Sequence, residues 1–206
     1  MKIKKFIDEY LGVNTYVISD GKSKQAFVVD PGGSLEEVKK YIEDRDLNVS
    51  YIVLTHGHGD HIGYVKNLKE KIGAKVVAHS KERELLIDAK KNISANMRCG
   101  AQEFEADIYV EDGDYIEIGG KRVEFIHTPG HTPGGMCIKI GSDLITGDTL
   151  FAGSIGRSDL YGGDYKAIEK SLKRLCDIEE DLNIYPGHGP SSTLKQEKNS
   201  NPYLRK

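Results

Sequence analysis

Four times along this 206-residue chain an apolar run breaks off at a glycine-bearing loop that carries histidine or aspartate. Tyr51-Ile-Val-Leu54 runs into Thr55-His56-Gly57-His58-Gly59-Asp60-His61, and the later junctions are Thr128-Pro-Gly-His131-Thr-Pro-Gly134, Ile145-Thr-Gly-Asp148-Thr149 and Tyr185-Pro-Gly-His188-Gly189. A fold that serves all four junctions must gather these strand ends on one edge. Glycine lets backbone approach closely there, and proline holds the loops in one conformation. No helix or strand needs such a histidine cluster for its own stability. Imidazole nitrogen and carboxylate oxygen are the ligands that zinc and other divalent first-row ions accept.

Five of the seven histidines, His56, His58, His61, His131 and His188, fall in these junctions. Asp60 and Asp148 raise the candidate ligands to seven, more than one tetrahedral zinc can use and enough for two metals sharing a carboxylate. Alone, a histidine after Pro-Gly reads as an ordinary turn residue; the agreement of four junctions in type and context is what points to a site. His79 reads as a strand-end residue, and His127 as a neighbour that packs beside the site or supports a ligand by hydrogen bond. Thr55 and Thr132 are candidate supports of the same kind. Asp30 either opens the Pro31-Gly32-Gly33 turn or accepts a ring N–H from a ligand histidine and so fixes its tautomer.

The length suits a single domain spanning residues 1–206, and the 38% of hydrophobic residues, spread along the chain, permits a substantial core. With a formal net charge of -3 and basic residues interleaved with acidic ones, no basic stripe argues for nucleic acid as a partner. Cys99, Cys137 and Cys176 are odd in number and widely spaced, which argues against a disulfide framework or a CxxC clip, and Cys137 reads as core. No stretch approaches membrane-spanning length, and the basic N-terminus lacks an apolar segment after it. The expected setting is the cytoplasm, away from membranes.

Period-two alternation predicts strands over Lys2 to Ile7, Thr15 to Ser19 and Gln25 to Asp30. Ser34 and Glu37 have the spacing of a capping box and open a helix whose buried face is Leu35, Val38, Tyr41 and Ile42. A strand from Val49 to Leu54 delivers the histidine cluster. Ile62, Val65, Leu68 and Ile72 then repeat with helical spacing up to Gly73, placing Asp60 and His61 at or near a helix N-terminus. Lys75 to Ala78 reads as a strand and Lys81 to about Lys90 as a helix, while Asn92 to Gln102 gives no regular pattern. Tyr115 to Ile118 and Arg122 to Ile126 form a hairpin around Gly119-Gly120. Strands at Met136 to Ile140 and Leu144 to Thr146, a glycine-rich loop from Gly147 to Gly163, a helix over Tyr165 to Leu175 and a strand at Leu182 to Tyr185 complete the reading. Two sets of strands, each followed by helices, suggest a sandwich of two sheets with helices outside, with the layer order left open.

The pattern His-x-His-x-Asp-His, followed by a distant His, then Asp, then His, resembles the metallo-β-lactamase superfamily. The resemblance covers nearly the whole chain, from the opening strands to Pro186-Gly187-His188-Gly189, and implies an α/β (α+β) fold, the four-layer αββα sandwich, with a metal centre at the sheet edge. Carried over by position, it assigns His56, His58 and His131 to one metal, Asp60, His61 and His188 to a second, and Asp148 to a bridge between them. The cofactors implied are two divalent ions, zinc first, with iron and manganese as alternatives. A bridging Asp separates the sequence from the β-lactamase branches, which place Cys or His on the second metal. The segment Gly147 to Asp164 is similar to the glyoxalase II type and its short bacterial relatives.

That branch implies hydrolysis of a small, anionic thioester of the S-lactoylglutathione type by a metal-bridged hydroxide, with Asp60 orienting the nucleophile. Arg157 is either the partner of the thiol cofactor's carboxylate, because a guanidinium fork meets a carboxylate at two points, or a structural ion-pair partner. Tyr161, in the same loop, is a second expected substrate contact. Eighteen residues follow His188, where full-length glyoxalase II carries a helical domain that helps to hold glutathione, so the thiol part stays open. Two alternatives share the fold: a persulfide dioxygenase using one iron on His56, His131 and Asp148, and a lactone hydrolase.

Overall fold

The structure, a computed structural model, describes residues 1–205. Its first sheet is built from β1 (Lys2–Ile7), β2 (Asn14–Ser19), β3 (Gln25–Val29), β4 (Asn48–Val53), β5 (Lys75–His79) and β6 (Ile108–Val110), in that spatial order. The first three form an antiparallel meander, and β3 through β6 run parallel. Parallel neighbours need crossover connections, and helices α1 (Leu35–Asp44), α2 (Gly59–Ile62), α3 (Val65–Ile72) and α4 (Arg83–Leu86) occupy them.

The second sheet contains β7 (Tyr115–Ile118), β8 (Lys121–His127), β9 (Met136–Ile140) and β10 (Asp143–Gly147). After β10 the chain makes a small ribbon, β11 (Leu150–Phe151) and β12 (Ser154–Ile155), then α5 (Tyr165–Cys176). It returns as β13 (Asn183–Pro186) and β14 (Ser192–Thr193) and ends in α6 (Leu194–Ser200). The spatial order is β14-β13-β10-β9-β8-β7.

Strand alternation sorts the apolar residues into three layers. Tyr16, Ile18, Phe27, Val29, Val53 and Val77 face Phe125, Met136, Ile138 and Ile145 between the sheets. Their chain neighbours Val17, Ala26, Val28, Ile52 and Val76 face the other way, against Val38, Ile42, Val65 and Leu68 of α1 and α3. On the far side, Ile126, Cys137, Leu144 and Ile184 pack under Ile168, Leu172 and Leu175 of α5 and Leu194 of α6. The result is the expected αββα sandwich, because each sheet is apolar on both faces and must be covered twice.

Several local expectations need correction. Ser34 does not close a capping box: it sits at φ 53°, ψ 31°, and its hydroxyl donates to the Ile7 carbonyl at 3.1 Å instead of serving the first-turn amides. The helix expected over Lys81 to Lys90 is one 3-10 turn (Ser80–Glu82) and the single turn α4. It stops because the Asp88 carboxylate accepts from the amides of Lys90 and Lys91, a local turn that competes with the helical ladder. Asp60 and His61 belong to α2, separated from α3 where the Tyr64 amide donates to the Pro31 carbonyl at 2.9 Å. By contrast α5 is capped in the ordinary way, Asp164 accepting from Lys166 and Ala167.

Candidate metal centre

Strand direction brings the four junctions together. β9 is antiparallel to both β8 and β10, and β10 is parallel to β13, so the C-terminal ends of β8, β10 and β13 share one edge. β3 and β4, parallel in the other sheet, end beside them, and the Met136 amide donates to the Thr55 carbonyl at 2.9 Å, tying the two sheets at this point. Asp30, His56, His131, Asp148 and His188 all lie just past those strand ends.

Two groups of donor atoms result. His56, His58 and His131 place one ring nitrogen each within a common 4.8 Å, and a carboxylate oxygen of Asp60 lies equally close to one ring nitrogen each of His61 and His188. In the first group His131 Nε2 lies 3.2 Å from His56 Nε2 and 2.9 Å from His58 Nδ1. In the second, Asp60 Oδ2 lies 3.2 Å from His188 Nε2 and 3.9 Å from His61 Nε2. Asp148 faces both groups, with Oδ1 3.3 Å from His61 Nε2 and Oδ2 3.6 Å from His131 Nε2. All seven candidate ligands are therefore gathered in one place.

Neighbouring groups set the tautomers. His131 Nδ1 donates to the Arg157 carbonyl at 2.7 Å, and His61 Nδ1 donates to Asp30 Oδ2 at 2.8 Å. The Thr55 hydroxyl donates to Asp30 Oδ2 at 2.6 Å, leaving its oxygen to accept from His56 Nδ1 at 3.1 Å. Each of these three rings thus turns Nε2 toward the shared space, as a bare lone pair on His56 and His131. Two such lone pairs, on His56 and His131, meet at 3.2 Å, which repels unless a cation lies between them. His58 Nε2, His61 Nε2 and Asp148 Oδ1 are buried without a hydrogen-bond partner. Imidazole and carboxylate donors aimed at a common point, with the outer nitrogens of His56, His61 and His131 already held, fit divalent metal ions.

A third grouping, Asp30 with His56 and His61, is also geometrically close. Its carboxylate is committed to the Thr55 amide, the Thr55 hydroxyl and His61 Nδ1, so Asp30 supports ligands and is not one itself. This settles its two readings in favour of the ring N–H acceptor.

The electrostatics of the two groups differ. Burial, with His131 pressed against it, pushes His58 down to about 3, and burial with four histidine neighbours holds His56 far below its ordinary value. Protons therefore do not compete for the first group near neutral pH. Burial would also lower His61, but Asp148, Asp60 and Asp30 outweigh it and hold that ring well above its usual range. For Asp60, burial is outweighed by His61 and His188, and its carboxyl stays well below the usual carboxylate range. A proton on His61 thus answers the surrounding carboxylates in the metal-free protein, the place a divalent cation would take.

His127 supports the site at one remove: its Nε2 donates to the Pro133 carbonyl in the His131 loop at 3.0 Å. His79, the last residue of β5, stacks on it with ring centroids 4.0 Å apart and joins neither donor group. Arg157 contributes its carbonyl to His131, while its exposed guanidinium pairs with Asp159. Tyr161, half exposed, donates to Glu84 at 2.8 Å with the Lys91 ammonium 4.7 Å from its ring centre.

Sequence reasoning missed Asn14, whose buried side chain donates to the carbonyls of Pro186 and Gly189 on either side of the His188 turn. It also left Asn92 to Gln102 unplaced. That stretch folds around the Asn92 side chain, which donates to Leu85 and Gln102, and the Asn92 carbonyl accepts from the Gly59 amide inside the ligand loop. Isolated asparagines carry no spacing signal that marks such roles.

Sandwich and site together define a class of protein, and comparison with known proteins agrees. Residues 9–188 match the family described as the Metallo-beta-lactamase superfamily, and the chain belongs to it. It is 35% identical to the hydroxyacylglutathione hydrolase GloC of Haemophilus influenzae over 88% of each chain. Among solved structures it resembles the BLEG-1 B3 metallo-beta-lactamase, with a TM-score of 0.92 and 32% identity over 100% of both chains. It also resembles TTHA1623 in a di-iron-bound form, with a TM-score of 0.85 and 32% identity over 98% of this chain and 100% of that one. Similarity at this level to a protein named as a B3 enzyme means that the branch is not decided by the bridging-Asp pattern alone.

Proposed function

We propose that this protein is a dinuclear metal-dependent hydrolase of the glyoxalase II-like branch that cleaves a small, anionic thioester. The observation that carries the reading is the Asp148 carboxylate, which directs one oxygen to each of two complete donor groups. His56, His58 and His131 would hold one ion, Asp60, His61 and His188 the other, with Asp148 shared. Two divalent ions so placed supply a water ionised near neutral pH and a charge that polarises a carbonyl oxygen. The di-iron form of a relative similar over the full chain supports two-ion occupancy, and the GloC relative supports the substrate class.

The chain's own residues do the rest. Asp60, held ionised, has the charge to accept a hydrogen bond from the attacking water and orient it. A thiol's ordinary pKa of about 8.5 lets it leave as thiolate without a strong general acid. On this reading the Arg157 guanidinium exchanges Asp159 for a substrate carboxylate, and Tyr161 lies along the same face.

Steady-state assays with S-lactoylglutathione, a β-lactam and a homoserine lactone on the zinc-loaded protein, and with glutathione persulfide on both the zinc-loaded and the iron-loaded protein, test the proposal. Thioester turnover at least about 100-fold above the others, without oxygen uptake, is the expected result. The β-lactam arm is motivated by the BLEG-1 similarity. The persulfide arm is motivated by the proximity of His56, His131 and Asp148, which also suits one iron. Oxygen uptake with persulfide, or preferred lactam turnover, would overturn the thioesterase reading.

A further inference from the structure

We propose that Glu82 is a positioning residue that clamps the two ligand loops of the first metal group to each other, and so sets the spacing of His56, His58 and His131. The inference rests on the metal-centre reading above. Glu82 ends the 3-10 turn after β5, on neither ligand loop, and is fully buried. Its Oε2 accepts from the amide of Gly57, the residue between His56 and His58, at 2.7 Å. Its Oε1 accepts from the amide of Gly134, three residues past His131, also at 2.7 Å. One carboxylate therefore spans two loops 52 and 25 positions away in sequence, with one oxygen for each.

The chemistry of the clamp requires a carboxylate. Both oxygens face N–H donors, so both must be acceptors, which an amide cannot offer. Burial raises its carboxyl above the ordinary value, and Thr132 with the two glycine amides opposes that; no cationic side chain is among these groups. Charge-assisted bonds of this kind are shorter and stronger than neutral ones. The glycines are fitted to the same end. A Cβ on Gly57 would lie 2.9 Å from Glu82 Oε2, and one on Gly134 would lie 2.6 Å from the Glu82 amide nitrogen and 2.8 Å from its Cγ. Neither glycine has a positive φ, so close approach, and not backbone conformation, calls for glycine at both positions: to Glu82 and the Leu85 Cβ (3.0 Å) at Gly57, and to Glu82 and the Lys81 carbonyl carbon (2.9 Å) at Gly134. The second group, Asp60, His61 and His188, is held instead by Asp30 and Asn14.

The proposal predicts selective loss. Purified metal-free protein is titrated with Co2+ against a chelator, following its visible absorption, and His58→Ala and His188→Ala assign the two binding steps. In Glu82→Gln the step assigned to His56, His58 and His131 weakens at least about tenfold while the other changes less than about threefold, and kcat falls with KM held. Gly57→Ala, which displaces the carboxylate without removing it, and Glu82→Asp, which keeps the charge but cannot span both amides, shift the same step in the same direction. Unchanged affinity at that step overturns the proposal. So does equal weakening of both steps or failure of all three variants to fold, which would make Glu82 a general support of the core. Wild-type protein that takes up no Co2+ contradicts the metal centre itself, a different result from wild type and Glu82→Gln binding two ions equally well.

Discussion

Asp30 shows how much one side chain carries at this site. It holds φ 48°, a left-handed conformation uncommon for aspartate, and from there accepts from the Thr55 amide, the Thr55 hydroxyl and His61 Nδ1. Asparagine could accept only through its oxygen, leaving a donor facing a donor. Asp30→Asn is therefore expected to weaken metal binding at the Asp60, His61, His188 group by about 10- to 100-fold, read by competition with a chelator. An unchanged affinity would show that His61 is oriented without it. The histidines themselves were legible in the sequence, because four metal-binding side chains in six positions have no other common explanation. Asp30 was legible only as a pair of alternatives, since an aspartate before Pro-Gly-Gly is also ordinary turn chemistry and its partner is 31 residues away.

At the scale of elements, the site is a property of where strands stop. Gly187, just past β13, fits against two candidate ligands: a Cβ there would lie 2.1 Å from Asp148 Oδ1 and 2.7 Å from His61 Cε1. Gly187→Ala must displace the shared carboxylate or the His188 turn. Hydrolytic activity should fall by at least about 100-fold, with the melting temperature lowered far less than by a core truncation. Retained activity would place Asp148 outside the centre. Strands could be read from the sequence as short apolar runs because each sheet lies between two apolar layers. The short elements could not. β6, β14 and α6 are too brief for a period to show, and the expected helix after Lys81 failed where Asp88 turned the backbone.

Over the whole molecule the two sheets meet around the Phe125 and Met136 layer and open at one edge onto the metal centre. Near that edge the stacked pair of His79 and His127 couples folding to pH. Burial, with His127 stacked on it, lowers His79 from an ordinary 6.5 to about 4, while Glu111 and Asp112 oppose that shift and Lys81 adds to it. The unfolded chain thus binds a proton between those values that the folded chain does not, so stability falls as pH drops from 6.5 toward about 4. Chemical denaturation at a series of pH values should show that decline, and His79→Gln should flatten it. An identical slope in both proteins would remove His79 as its source. The layer order, which periodicity left open, follows once each strand's two faces are assigned to different cores.

The central claim is that residues from four strand ends form one centre for two ions joined through Asp148. Elemental analysis of metal-free protein reconstituted with excess Zn2+ and then desalted tests it most directly, with Asp148→Ala beside it. The account predicts about two zinc ions per chain in the wild type and no more than about one in the variant. A wild type that retains none or one, or a variant that keeps both, would contradict it.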